Sequence, residues 1–137
     1  MKNKQFLLLI FSILLMGNLQ AKSAPISVQS PDGNLIVKIR LDDKISYDVY
    51  SGNDLLLKDC SLAMDLGTEK LGSDPQLKST KKGTINEQIK RDVPLKNALV
   101  SNHCNTLLLN FKKNYSVEFR AFNDGIAYRF ITNIKKE

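Results

Sequence analysis

Two antiparallel strands joined by a tight turn are written into Phe119-Arg120-Ala121-Phe122-Asn123-Asp124-Gly125-Ile126-Ala127-Tyr128-Arg129-Phe130. Asp-Gly between alternating apolar residues is a strong hairpin signal, because both central residues of a type I′ turn need positive φ. A two-residue turn at Asp124-Gly125 predicts Asn123 opposite Ile126, Ala121 opposite Tyr128 and Phe119 opposite Phe130. The apolar Phe119, Ala121, Tyr128 and Phe130 then share one face, and Glu118, Arg120, Phe122, Ala127 and Arg129 share the other. A three-residue loop would mix the two sets, which a period-2 strand resists. This register also sets Arg120 against Arg129, a like-charge pair that costs roughly 0.2–1 kcal/mol unless an acceptor intervenes. Glu118, on the diagonal to Arg129, is the nearest acceptor.

Upstream, the same grammar repeats, and no segment shows helical periodicity. Ile26 and Val28 lead into the turn Ser30-Pro31-Asp32-Gly33, with proline preset at its second position and glycine free for positive φ. Leu35, Val37, Ile39 and Leu41 alternate with polar residues as a half-buried strand does, while Ile36 breaks the alternation. Ile45, Tyr47 and Val49 alternate in the same way after a turn at Asp42-Asp43-Lys44. Beyond Ser51-Gly52-Asn53-Asp54 come Leu55-Leu56-Leu57, then Leu62, Met64 and Leu66. Residues 67–83 read as a long polar surface excursion with room for one strand. Residues 84–92 read as a polar edge strand that ends at Val93-Pro94-Leu95, since proline cannot donate to a ladder. Residues 103–111 form a strong strand with Leu107 and Leu109 on one face and Leu108 on the other. A turn at Lys112-Lys113-Asn114 leads into residues 115–122, the first arm of the closing hairpin. Short strands at such spacing predict an all-β, antiparallel sandwich.

The first residues belong to targeting rather than to the fold. Lys2 and Lys4 precede an uncharged apolar run over residues 6–16, and small residues follow. This is the pattern of a secretory signal peptide over residues 1–21, with cleavage as late as Ala24 the alternative. The run is too short for a spanning helix, which needs about 20 residues, so no stable membrane anchor is expected and the chain is expected in the periplasm or outside the cell. An uncleaved anchor is the competing reading. One domain over residues 25–137 remains, roughly 115 residues, enough for a modest core.

Charge and cysteine usage exclude several classes. Of 20 Lys and Arg residues two lie in the leader, leaving 18 against 14 acidic residues, scattered over strands and turns. Nucleic-acid binders cluster such charge in a stripe, so no nucleic-acid partner is expected. Cys60 and Cys104 are the only cysteines. An oxidising compartment permits a disulfide between them, and two separate thiols on apolar strands are the alternative. With the single histidine they cannot make a zinc site.

Catalytic patterns are missing from the sequence. His103 and Cys104 are adjacent on an extended segment, so their side chains leave opposite faces and cannot form a dyad. The acids Asp32, Asp42, Asp43, Asp54, Asp74 and Asp124 sit in turns, where their carboxylates cap nearby amides. Asp48 and Glu118 sit on strands, and none of these acids falls in a context that marks the carboxylate pair of a glycosidase. There is no P-loop, GxGxxG, HExxH or EF-hand pattern. With no tryptophan, Tyr50 and Phe122 are the best candidate rings for stacking on a sugar, and packing against another layer is the alternative for both.

Five spaced phrases nevertheless carry a resemblance. Val28-Gln29-Ser30-Pro31-Asp32-Gly33-Asn34-Leu35 resembles the opening strand and turn of the N-terminal domain of glycoside hydrolase family 97. Ile45-Ser46-Tyr47-Asp48-Val49 is similar to its second strand. Cys60-Ser61-Leu62-Ala63-Met64-Asp65-Leu66 is similar to its S-x-L-G-L-x-L segment, with Ala63 in place of glycine. Asn102-His103-Cys104-Asn105-Thr106-Leu107 resembles the family's N-H-Y-N-E-L, with Cys104 in place of tyrosine. The hairpin at 119–130 resembles F-R-A-Y-D-D-G-V-A-F-R-Y. The family comprises periplasmic α-glucosidases and α-galactosidases that depend on calcium. The resemblance implies a galactose-mutarotase-like super-sandwich, here incomplete, that in the family precedes a (β/α)₈ catalytic barrel and a small C-terminal β domain.

The family's catalytic and most calcium-binding residues lie beyond the matching stretch, so no catalytic, cofactor or metal residue is carried over. His103, Asn105, Arg120, Asp124 and Arg129 are instead assigned to ligand or domain-interface contacts. The expected function is that of a non-catalytic, carbohydrate-associated domain, whose partner is a carbohydrate or a missing glycosidase catalytic domain. An independent secreted glycan- or protein-binding module, or one piece of a split α-glycosidase, are the alternatives.

Overall fold

The alternation of Leu35, Val37, Ile39 and Leu41 becomes a strand whose odd positions Val37 and Ile39 are fully buried. In the computed structural model, which describes residues 26–90, 92 and 99–132, every regular element is a strand. Strands β1 (Ile26–Gln29), β2 (Leu35–Leu41), β3 (Ile45–Ser51) and β4 (Asp54–Leu62) form an antiparallel meander in that order. A short hairpin, β5 (Met64–Asp65) and β6 (Lys70–Leu71), leads out of it. Strands β7 (Leu77–Lys90), β8 (Leu99–Phe111), β9 (Tyr115–Ala121) and β10 (Ile126–Thr132) form a second antiparallel sheet. The expected leader and the strand end at Val93-Pro94-Leu95 lie outside the described residues.

The two sheets pack face to face as a sandwich. Val37, Ile39, Ile45, Tyr47 and Val49 from the first sheet meet Leu107, Leu109, Val117, Phe119 and Ala121 from the second in one buried cluster. The Tyr47 and Phe119 rings meet edge to face with centroids 5.7 Å apart, an arrangement that adds roughly 0.5–1.5 kcal/mol to the area each ring buries. On β9 the burial alternates strictly, so Glu118 and Arg120 leave the opposite, outer face. On β8, Leu107 and Leu109 point inward and Leu108 outward, as the sequence predicts.

The expected polar excursion over residues 67–83 is more ordered than the sequence reading allows. It contains β6 and the start of β7, which runs unbroken from Leu77 to Lys90 along the outer edge of β8. An edge strand that faces water on both sides has no apolar alternation to betray it. Gly72 anchors the return: its φ is +89°, its carbonyl accepts from the Ile45 amide at 3.1 Å, and an added Cβ would stand 2.4 Å from the Leu62 carbonyl oxygen. That position admits only glycine.

The closing hairpin forms, but two residues out of the expected register. Ala121 pairs with Ile126, Phe119 with Tyr128 and Val117 with Phe130. The Phe122 amide donates to the Gly125 carbonyl at 2.8 Å, so the loop tip is Asn123-Asp124. Neither Asp124 nor Gly125 is among the residues with positive φ, so the type I′ turn is absent. A contact from across the molecule overrides the local preference: Asn123 Oδ1 accepts the Asp32 amide at 3.1 Å. A slip of two residues keeps every side chain on its expected face. It removes the Arg120–Arg129 confrontation, because Arg120 now faces Ala127 and Arg129 faces Glu118.

Candidate functional site

Three of the five family-like phrases converge at one end of the sandwich. Ser30, at the end of β1, is 1% exposed, and its hydroxyl accepts the Leu35 amide at 2.9 Å while donating to the Asp32 carboxylate. Asp32 also accepts the Asn34 amide at 3.0 Å, and the Ser30 hydroxyl, more than that amide, holds its carboxyl below the usual carboxylate range. This pinned turn reaches the second sheet twice. Its Asp32 amide meets Asn123 at the β9–β10 tip, and the Gln29 carbonyl accepts Asn105 Nδ2 from β8 at 2.9 Å. Asn105 Oδ1 in turn accepts the Thr84 hydroxyl of β7 at 2.8 Å. Asn105 therefore ties β1, β7 and β8 together.

Beside this clasp lies an open groove of about 490 Å³ lined by Ser27, Gln29, Lys82, Thr84, Asn105 and Thr106. Its wall includes Gly83, whose missing side chain leaves Thr106 uncovered: a Cβ there would stand 3.0 Å from the Thr106 hydroxyl. The lining offers hydroxyls, amides and one ammonium group, and no carboxylate. Such a surface can hold a polar, uncharged or anionic ligand. It carries no carboxylate, imidazole or thiol.

Buried Asp48 and half-buried Glu118 occupy opposite outer faces. On the second sheet, Glu118 Oε2 accepts Arg120 Nε at 2.9 Å and Arg129 Nε at 2.8 Å. The arginines that the sequence set face to face are thus joined through one acid. On the first sheet, Asp48 on β3 pairs with Arg40 on β2, and Arg40 also reaches Asp59 on β4 at 2.8 Å. The Asp59 amide donates to Asp48 Oδ1 at 2.7 Å, at a bulge where Asp59 adopts a φ of +55°. The Arg40 guanidinium, more than the Asp59 amide, holds the Asp48 carboxyl below its ordinary range against the burial that would raise it. Arg40 and Asp48 lie on neighbouring strands as an opposite-charge diagonal, which the sequence could have signalled. The bulge at Asp59 left no such trace.

His103 stands exposed opposite Asn86 on the β7–β8 ribbon, and Asp124 is exposed at the hairpin tip. Neither joins the other candidate residues. Cys104 is fully buried and Cys60 half-buried, both as free thiols; burial pushes the Cys104 thiol up. No disulfide joins them: Cys60 sits opposite Tyr47 and packs on the core, whereas Cys104 lies outside the core cluster. The Tyr50 ring is covered by the Lys38 ammonium, 4.3 Å from its centroid. Among the described residues no three His, Cys, Asp or Glu side chains gather as a metal site would require.

Residues 28–137 match the family described as glycosyl-hydrolase 97 N-terminal. Over 137 residues, 99% of this chain, the sequence is 38% identical to a retaining alpha-galactosidase of Bacteroides thetaiotaomicron, of which it spans only 20%. A glycoside hydrolase family 97 enzyme from Pseudoalteromonas sp. strain K8, solved with acarbose, superposes with a TM-score of 0.68 at 23% identity. That superposition covers 77% of this chain and 17% of the enzyme. A beta-arabinopyranosidase superposes with a TM-score of 0.72 at 18% identity, over 80% of this chain and 18% of that one. At these identities the two structures show the fold alone.

Proposed function

This chain belongs to the glycosyl-hydrolase 97 N-terminal family, and on that premise we propose that it is a non-catalytic, carbohydrate-associated β-sandwich domain. The observation that carries this reading is the placement of Asp48 and Glu118. Glycoside hydrolysis needs two carboxyl groups about 5–10 Å apart across one scissile bond. Here Asp48 and Glu118 leave opposite faces of the sandwich, arginine engages each of them, and Asp59, the strand acid beside Asp48, is bound to the same Arg40. Their chemistry is that of clamps. The relatives act on glycosides with polypeptide several times longer than this chain, so a catalytic region, on the same polypeptide or a separate one, is the partner we assign. The leader-like residues 1–21 support export to the periplasm or beyond.

A second reading, an independent glycan-binding module, draws support from the polar groove beside Asn105. One experiment addresses both. The full chain is incubated with nitrophenyl α-galactoside and α-glucoside and then titrated calorimetrically with α-linked oligosaccharides. The proposal expects no hydrolysis above background, and steady turnover by the purified chain overturns it. Saturable binding weakened by Thr106→Ala favours the binding module over a purely structural domain.

A further inference from the structure

Sheet edges present unpaired backbone groups, and soluble domains blunt them with charge, proline or brevity. Strand β4 lies at the edge of the first sheet and carries an apolar run between its charged residues. Its residues Leu55, Leu56 and Leu57 are 46%, 56% and 45% exposed in consecutive positions. Exposed Asp54 precedes the three leucines and exposed Lys58 follows them. The run Asp54-Leu55-Leu56-Leu57-Lys58 is its own antiparallel complement. A two-fold axis through Leu56 sets Asp54 of one copy against Lys58 of the other, Leu55 against Leu57, and Leu56 against itself.

We infer that β4 is an isologous interface, at which a second copy of this chain pairs antiparallel in that register. A two-fold contact requires one surface to complement itself, and this run does so in both charge and apolarity. Each Asp54–Lys58 pair occurs twice, and because Leu57 stands opposite Val49 and Leu55 opposite Tyr50, the leucines present apolar surface on both faces of the edge. The register of β4 against β3 shifts on both sides of Val49, and Leu56 has no paired residue on β3. The bend limits the outward ladder to a few residues. Leucine burial and the two ion pairs therefore carry the association, which makes it reversible and salt-sensitive.

The test is the oligomeric state of the full chain, followed by sedimentation equilibrium through the micromolar range at low salt. A monomer–dimer equilibrium is expected. Leu56→Lys should give a monomer with an unaltered cooperative melting transition, since this side chain is largely exposed. Asp54→Lys and Lys58→Asp should each weaken the dimer by about tenfold or more, because like charges then oppose one another twice. The double swap Asp54→Lys/Lys58→Asp should return the affinity to within about threefold of the parent, because the exchanged run is again self-complementary. A parent chain that stays monomeric overturns the inference. So does a dimer indifferent to Leu56→Lys, or one that the double swap fails to restore.

Discussion

Strands β4 and β7 both run along sheet edges, one in each sheet, and they are held in opposite ways. β7 is long and polar, with Lys78, Lys81, Lys82, Glu87 and Lys90 along its fourteen residues. Repeated exposed contacts stitch it to β8: Thr84 to Asn105, Asn102 to Glu87, and Asn110 to Ser79. β4 carries three consecutive leucines and is twice offset from β3, and its side-chain tie to the sheet is concentrated at the Asp48 carboxylate. That group is 12% exposed and serves Arg40 and the Asp59 amide together. Water competes for every contact on β7 and for little of the clamp on β4. The sensitivity of each edge should follow this difference in solvent access and not the number of contacts.

The largest expected effect is at the clamp. Asp48→Ala removes the buried acceptor that the Arg40 guanidinium and the Asp59 amide share, and leaves Arg40 only its exposed bond to Asp59. A loss of about 2–4 kcal/mol is expected, read from the urea midpoint. The clamp also sets a pH dependence. Because the folded-state pKa of Asp48 lies below its unfolded value, its contribution is fully present above about pH 4–5 and is lost as the pH falls through the depressed folded value. A melting series from about pH 7 to about pH 2 should therefore show an acid limb that is shallower in Asp48→Asn. An equal acid limb in both proteins would show that the stability of β4 does not depend on this carboxylate.

A middle effect is expected where β7 is tied to more than β8. Asn105→Ala removes the bond to the Gln29 carbonyl across the sheets as well as the acceptor for the Thr84 hydroxyl. Both are partly open to water, and about 1–2 kcal/mol should be lost. Asn105→Asp keeps the acceptor and removes the donor, so it separates the inter-sheet bond from the β7–β8 bond. If Asp at this position matches the parent in the same denaturation curve, the tie to β1 adds nothing.

How far these contacts could be read in advance depends on what determines each one. Burial on one face imposes alternation, so β2, β9 and the inward Leu107 and Leu109 were legible, and with them the sandwich. The hairpin faces were legible for the same reason, and a two-residue slip leaves them unchanged. Its register was not, because Asp32, 91 residues away, holds the tip through Asn123. No local turn preference contains that information. β7 was blurred because both its faces meet water. Asn105 was singled out through the family-like phrase around it, and the structure shows that it bridges the sheets, a role that spacing alone could not supply. The Arg40–Asp48 pair is a diagonal that alternation alone does not pick out, because it follows only once the β2–β3 register sets Lys38 opposite Asp48.

The smallest expected effect completes the contrast between the edges. Asn102 donates to the Glu87 carboxylate at 2.6 Å on the β7–β8 ribbon, a geometry as good as any at the Asp48 clamp. Both residues are open to solvent there, so water can replace either partner at little cost. Asn102→Ala should change stability by no more than about 0.5 kcal/mol, within the ordinary range for surface substitutions. The same urea titration used for Asp48→Ala measures it. If the loss instead rivals that of Asp48→Ala, solvent access does not separate the two edges, and the ribbon is covered in solution by another surface.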